Sequence, residues 1–190
     1  MHTTEQFWEK RYADGGNSGS GSYGELAVFK ANVINHLISN NSLNSIIELG
    51  SGDGNQLSYF NIDNYIGIDI SPTVIELCRE KFKSDKSKSF FTYSEYNHTG
   101  NVDLTLSLDV IYHILDDVEY KKYMFNLFSF SNKYVVIYSN NYRENIINHM
   151  YSKYFTKDVS DWFPNWTLDN MIKQKYPSKS SADFYIYKKL

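Results

Sequence analysis

The chain has 190 residues, 42% hydrophobic and 22% charged, with 19 basic and 22 acidic side chains for a net charge of −3. That is one domain's worth of protein, long enough to bury a core without staples and too apolar for intrinsic disorder. The single cysteine, Cys78, excludes an internal disulfide and a Cys-only zinc site. The acidic balance offers no general attraction to nucleic acid, and no run approaches the roughly 18 apolar residues of a membrane span.

Met1 to Tyr12 shows no basic stretch followed by an apolar run, so no signal peptide is expected and the expected compartment is the cytoplasm. Residues 15–24, GGNSGSGSYG, hold five of the ten glycines and predict a mobile loop or lid. Residues 1–24 are then an N-terminal segment with a lid, and 25–190 an α/β core, all within one domain. Leu26, Val33, Ile34, Leu37 and Ile38 carry helical spacing over Gly24 to Ser39. Ser45 to Leu49 and Tyr65 to Asp69 predict two strands. Ser71 and Pro72 suit the cap and first turn of a helix whose buried stripe is Val74, Ile75, Cys78 and Phe82. The lysines from Lys81 to Lys88 suit its solvated end. Ser89 to Tyr93 and the alternating Leu104, Leu106 and Leu108 predict a third and fourth strand. Tyr120, Tyr123, Met124, Leu127 and Phe128 mark the clearest helix, and Tyr134 to Ser139 a fifth strand. Asn140 to Pro177 shows no clear periodicity, and Ala182 to Lys188 predicts a closing strand. Strands alternating with helices imply a mainly parallel sheet covered on both faces, with ligands bound beyond the carboxyl ends of its strands.

The segment after the first strand is Glu48-Leu49-Gly50-Ser51-Gly52-Asp53-Gly54, expected to open a helix. Its glycines fall at G-x-G-x-G, and Asn55 takes the place of the third glycine of a dinucleotide loop. Glu48 and Asp53 flank it. Each would repel a pyrophosphate by about 1 kcal/mol at ~4 Å even in high dielectric, whereas a cation is welcome. S-adenosyl-L-methionine carries an ammonium and a sulfonium and no phosphate. Asp69, ending the second strand, can accept from both ribose hydroxyls of an adenosine.

At these residues the chain resembles the class I S-adenosylmethionine-dependent methyltransferases. Ile46 to Gly54 resembles the family's first motif, Ile68 to Ser71 its second, and Leu106 to His113 the segment that ends strand four. Trp8 to Tyr12, GGNSGSGSYG and Leu26 to Ala31 resemble a bacterial subgroup found among enzymes that decorate surface polysaccharides, which implies O-methylation of a capsule sugar. The resemblance implies a Rossmann-like three-layer sandwich with a mainly parallel, seven-stranded sheet. That fold ends in an antiparallel pair, of which only one C-terminal strand is visible in this sequence. It implies that Gly50, Gly52, Gly54 and Asn55 pack against the cofactor, that Glu48 sits near its ammonium, and that Asp69 holds the ribose with Ile70 against the adenine. Leu108 and Asp109 would meet the methionine end, Arg11 could pair with its carboxylate, and Asn17, Ser18 and Tyr23 would close as a lid. S-adenosyl-L-homocysteine is the implied product.

Transfer to a hydroxyl needs a base within hydrogen-bond reach. His113, four residues past Asp109, is the leading candidate, and Asp109 is the alternative; a packed structural histidine is the competing reading. Tyr112 and His149 could touch the acceptor, and Trp162 to Trp166 could wall its pocket or simply fill a core. Asp109 with Asn140 and Asn141 raises Mg²⁺, but no second acid joins them and no metal is expected. The expected partner is a small molecule, a nucleotide-activated or glycan-linked sugar, without nucleic acid. The rivals are a methyltransferase for an amine or a carboxylate, and a non-catalytic cofactor-binding domain.

Overall fold

Thr3 opens the first helix with a capping box: its hydroxyl accepts the Gln6 N–H, and the Gln6 side chain accepts the Thr3 N–H. The computed structural model describes residues 3–147 and 150–190. They form two compact units, one up to Thr99 and one from Gly100 on.

In the first unit, helix α1 (Thr4–Ala13) is followed by α2 (Gly24–Asn41), whose buried stripe is Leu26, Ala27, Ala31, Ile34, Leu37 and Ile38. The stripe also contains Lys30, in phase with the apolar positions and wholly buried. Strands β1 (Ser45–Leu49) and β2 (Asn64–Asp69) pair in parallel. Helix α3 (Pro72–Lys81) then leads to β3 (Lys88–Thr92), also parallel, in the order β3-β2-β1. Pairing of Leu49 with Ile68 and of Asp69 with Thr92 brings the carboxyl ends of the three strands to one edge. Ser71 caps α3 by accepting the Val74 N–H, with Pro72 in the first turn as expected.

The helix expected after the glycine loop does not form. A single 3-10 turn, Leu57–Tyr59, takes its place. Phe60 and Ile62 must enter the core before β2 begins at Asn64, which leaves no room for a second α-turn. Asn35 of α2 fixes that turn, donating to the Tyr59 carbonyl and accepting the Asn61 N–H.

In the second unit, β4 (Val102–Leu108) is followed by α4 (Asp117–Ser129), capped by Asp116 and burying the stripe Tyr120, Tyr123, Met124, Leu127 and Phe128. Strand β5 (Ser131–Ser139) returns parallel to β4, with Leu108 opposite Tyr138. A short hairpin, β6 (Glu144–Ile147) and β7 (Met150–Ser152), precedes α5 (Phe155–Trp162). Strands β8 (Trp166–Ile172) and β9 (Asp183–Lys189) close the order β4-β5-β9-β8, with β9 antiparallel to both neighbours. Both C-terminal strands of the usual antiparallel pair are therefore present. Strand β8 gave no sequence signal because residues 167–171 are exposed on both faces, so no alternation marks it.

The aromatic run after α5 packs on α4 rather than walling a pocket. Phe163 stacks on Phe128 at 4.2 Å, Trp162 stacks on Phe125 at 6.2 Å, and Trp166 meets Phe128 edge-on at 5.3 Å. Among the described residues no helix is long and apolar enough to cross a membrane.

Candidate functional site

The first unit assembles the glycine loop and Asp69 from two neighbouring strand ends. Where β1 stops, the N–H groups of Gly50 and Ser51 both donate to the Ile68 carbonyl, at 2.7 and 3.1 Å. The chain can turn so tightly because Gly50, Gly52 and Gly54 adopt φ of 82°, 56° and 67°, the left-handed region where a side chain is strained. The Gly52 N–H donates to Asp69 Oδ2 at 2.9 Å, the Ser71 N–H to Oδ1 at 3.1 Å, and the Cys78 thiol to the Gly52 carbonyl at 3.2 Å. Asp69 is 6% exposed. Burial raises its pKa, and the N–H donors from Ser71, Gly52 and Ile70 work against that rise. Ile70 beside it is partly exposed.

Glu48 lies beneath the loop, 2% exposed, and accepts the Tyr65 hydroxyl at 2.6 Å. Burial pushes its carboxyl up to about 7, while the Tyr65 hydrogen bond and the Lys30 charge pull the other way. The carboxyl that the resemblance places near a ligand ammonium, directly or through water, is thus hydrogen-bonded inside the fold. A carboxyl whose pKa is raised on folding favours the folded state while protonated. Its contribution is complete below about 4.5, the ordinary value, and is lost as the pH climbs through about 7. Across that window the melting temperature of the wild type should fall relative to Glu48→Gln, which keeps an acceptor for Tyr65. Parallel profiles would show that folding does not raise the Glu48 carboxyl.

The Gly/Ser-rich segment is docked on this loop. Asp53 Oδ2 accepts the Ser18 N–H at 2.9 Å and the Tyr23 hydroxyl at 2.8 Å, and the Asp53 N–H donates back to Ser18 Oγ at 2.9 Å. Tyr12 shares Ser18 Oγ at 3.1 Å, and Asn55 Nδ2 donates to the Ser22 carbonyl at 2.6 Å. Burial alone would raise the Asp53 pKa, but the donors from Ser18, Asn55 and Tyr23 outweigh it and hold the carboxyl below its ordinary value. Asp53 is therefore the anchor of the strap, not a free charge beside the loop. Arg11 is also engaged: its Nε donates to the Asn17 carbonyl at 2.6 Å and its guanidinium lies over the Trp8 ring. Asn17 Oδ1 closes the turn by accepting the Gly19 N–H at 2.9 Å. At the base, Glu9 of α1 accepts from the Ser71 hydroxyl and from the Thr73 hydroxyl and N–H, tying α1 to the start of α3.

In the second unit, β4 ends at the buried Leu108 and the chain turns at Asp109, whose φ of 62° is rare for a residue with a side chain. Its N–H donates to the Tyr138 carbonyl at 3.0 Å and its Oδ1 accepts the Tyr112 hydroxyl at 3.0 Å. His113 closes a 3-10 turn, Ile111–His113, with its ring centroid 4.6 Å from that of Tyr112, and β7 packs against this turn. Asp109, Tyr112 and His113 are thus one group. His149 lies outside the described residues. Asn141 is bound to Thr156 through both ends of its amide. No cluster of three His, Cys, Asp or Glu that could hold a metal occurs among the described residues.

Sequence reasoning missed Lys30, Tyr65 and Tyr12. Lys30 had a signal: it is in phase with Leu26, Ala27, Ala31 and Ile34 on the buried stripe of α2. Tyr65 had none, because its partner Glu48 is 17 residues away, and Tyr12 had none, because its partner Ser18 lies in a segment without periodic pattern.

Residues 47–124 match the family model described as a methyltransferase domain. Among solved structures, N-methyltransferase NodS from Bradyrhizobium japonicum WM9, in complex with S-adenosyl-L-homocysteine, aligns over 99% of this chain and 99% of its own, with a TM-score of 0.73 and 11% identity. The methyltransferase domain of bacterial CtHen1-C aligns over 85% and 97%, with a TM-score of 0.67 and 16% identity. Magnesium protoporphyrin IX methyltransferase (ChlM) from Synechocystis PCC 6803, with bound S-adenosyl-L-homocysteine, aligns over 95% and 94%, with a TM-score of 0.64 and 13% identity. No curated protein sequence matches significantly. The fold is the Rossmann-like methyltransferase fold, and the matched segment runs from β1 through the glycine loop and Asp69 into α4. The matched segment is a methyltransferase domain, and together with the fold it supports a methyltransferase that uses S-adenosyl-L-methionine.

Proposed function

We propose that the enzyme methylates a hydroxyl of a small sugar, nucleotide-activated or glycan-linked, in the cytoplasm, and that the whole chain works as one methyltransferase domain. The observation that carries this reading is the group at the end of β4, where a left-handed Asp109 accepts the Tyr112 hydroxyl and His113 lies against the Tyr112 ring. The cofactor, when bound, supplies a methyl carbon made electrophilic by the sulfonium. The loop fits such a group. Its three left-handed glycines let backbone come close, and the Asp69 carboxylate, with about four acceptor sites, has capacity left beyond the N–H groups of Gly52, Ser71 and Ile70, which suits a ribose.

The roles proposed for the chain are those that the resemblance implies. Asp69 orients the ribose, with Ile70 beside the adenine. Gly50, Gly52, Gly54 and Asn55 form the floor, Leu108 and Asp109 meet the methionine end, and Asn17, Ser18 and Tyr23 cover it, with Arg11 holding the cover. His113 takes the acceptor proton at an imidazole nitrogen, and Tyr112 orients the acceptor through its contact with Asp109. The names of the structural neighbours include an N-methyltransferase, a carbon methyltransferase and a 7-O-methyltransferase, so the fold by itself does not choose the acceptor atom.

His113→Ala is the test. Methyl transfer from labelled cofactor to sugar acceptors should fall by more than about tenfold at saturating substrate, with affinity for S-adenosyl-L-homocysteine unchanged. A smaller fall removes His113 as base. Turnover of an amine that is indifferent to His113 would favour the amine reading, since an amine needs less help with its proton.

A further inference from the structure

Asn140 follows the last residue of β5 and is 5% exposed, yet its side-chain oxygen has no hydrogen-bond partner among the described residues. An unpaired buried acceptor is costly, and in native proteins it marks the position of an ordered water or a ligand. Its neighbour Asn141 is fully used, donating to Thr156 Oγ1 at 2.8 Å and accepting the Thr156 N–H at 3.2 Å. Two adjacent asparagines therefore have opposite states: one is closed by the fold and one is open.

The open one stands beside the group already assigned to chemistry. Leu108 pairs with Tyr138, so Asp109 and Asn140 leave β4 and β5 at the same end, and strand alternation puts Asn140 in phase with Tyr138. Tyr138 and Tyr112 both feel the Asp109 charge, and the Tyr138 carbonyl holds the Asp109 N–H. The Tyr138 hydroxyl is itself engaged by Ser180 and Gln174. Asn140 Oδ1 is thus a buried acceptor left without a donor at the strand end that also carries the Asp109 carboxylate.

We propose that Asn140 Oδ1 is a recognition atom for the methyl acceptor, taking one of its O–H or N–H groups and selecting a neutral, donor-rich molecule over an anion. The inference rests on the reading that this edge meets the acceptor, and it adds the residue that chooses among acceptors. An oxyanion offered to these two oxygens would meet two acceptors, whereas a hydroxyl can donate to either.

The test titrates the full chain, saturated with S-adenosyl-L-homocysteine, with methyl glucoside, putrescine and benzoate. Wild type, Asn140→Leu and Asn140→Asp are compared, and the unfolding temperature of each is recorded without probe. The glucoside should bind wild type and Asn140→Asp, which keeps an acceptor oxygen, and should bind Asn140→Leu about tenfold more weakly. Asn140→Leu should unfold no earlier than wild type, because it removes an unpaired group. Putrescine binding in place of the glucoside, with the same dependence on Asn140, would keep the assignment and overturn the sugar reading. Benzoate binding, equal glucoside affinity in Asn140→Leu, or a Leu variant that unfolds several degrees lower would overturn it. If none of the three probes binds, the unfolding comparison decides in the same sense.

Discussion

Asp69→Ala should weaken binding of S-adenosyl-L-homocysteine by between about 10²-fold and 10⁴-fold. The proposed pair of ribose hydroxyl bonds goes to a charged acceptor, and such bonds contribute about 1.5–3 kcal/mol each, at about 1.4 kcal/mol per tenfold. Alanine also strands the Gly52 and Ser71 N–H groups that the carboxylate now accepts, so the unfolding temperature should fall as well. Asp69→Asn separates the two effects. It keeps one acceptor oxygen and loses the charge, so stability should recover more than affinity does. Calorimetric titration with S-adenosyl-L-homocysteine beside thermal unfolding reads both, and an alanine variant that binds within about threefold of wild type would remove Asp69 from the cofactor site.

Gly54→Ala should be a strongly damaging change in the loop. Its φ of 67° already strains an alanine, and the added Cβ would stand 2.7 Å from Phe82 Cε2 and 3.2 Å from Cys78 Sγ. Phe82 has little freedom to retreat, because it stacks on Phe90 at 5.4 Å. Left-handed strain of about 1–2 kcal/mol and overpacking of about 1–3 kcal/mol sum to roughly 2–5 kcal/mol, a fall of roughly 5–15 °C for a chain this size. Gly100→Ala is the matched control, since its Cβ would meet nothing and its φ is not left-handed. Differential scanning of both variants checks the claim. Equal melting temperatures would mean that the loop, not Phe82, gives way.

The parts of the fold that were legible in the sequence are those where local pattern and burial agree. Ile46, Ile47 and Leu49 are fully buried in a parallel strand, so β1 appears as an apolar run leading into glycine. Tyr120, Tyr123, Met124, Leu127 and Phe128 carry the α4 stripe without interruption. Strand β8 was not legible, since an edge strand exposed on both faces imposes no alternation. The state of the Gly/Ser segment was not legible either. Its composition predicts mobility, but its order depends on Asp53, 35 residues beyond Ser18. The same holds for the site. Glu48 and Asp53 were visible as charges, while their engagement by Lys30, Tyr65, Ser18 and Tyr23 is a property of tertiary packing. Asn140 was visible only as a possible metal ligand, because a missing partner becomes evident only once every neighbour is placed.

The contact between Ser18 and Asp53 makes the strap a competitor as well as a cover. A Cβ on Gly52 would lie only 2.2 Å from Ser18 Oγ, so Ser18 fills the volume directly above the loop while its oxygen holds the Asp53 N–H. Any ligand atom that needs that volume or that amide must first displace the serine. Its observed dissociation constant is then the intrinsic one divided by the fraction of molecules already unlatched. The hydrogen bonds that make the closed strap firm lower that fraction, so occupancy at a given ligand concentration is set partly by bonds the ligand does not itself make.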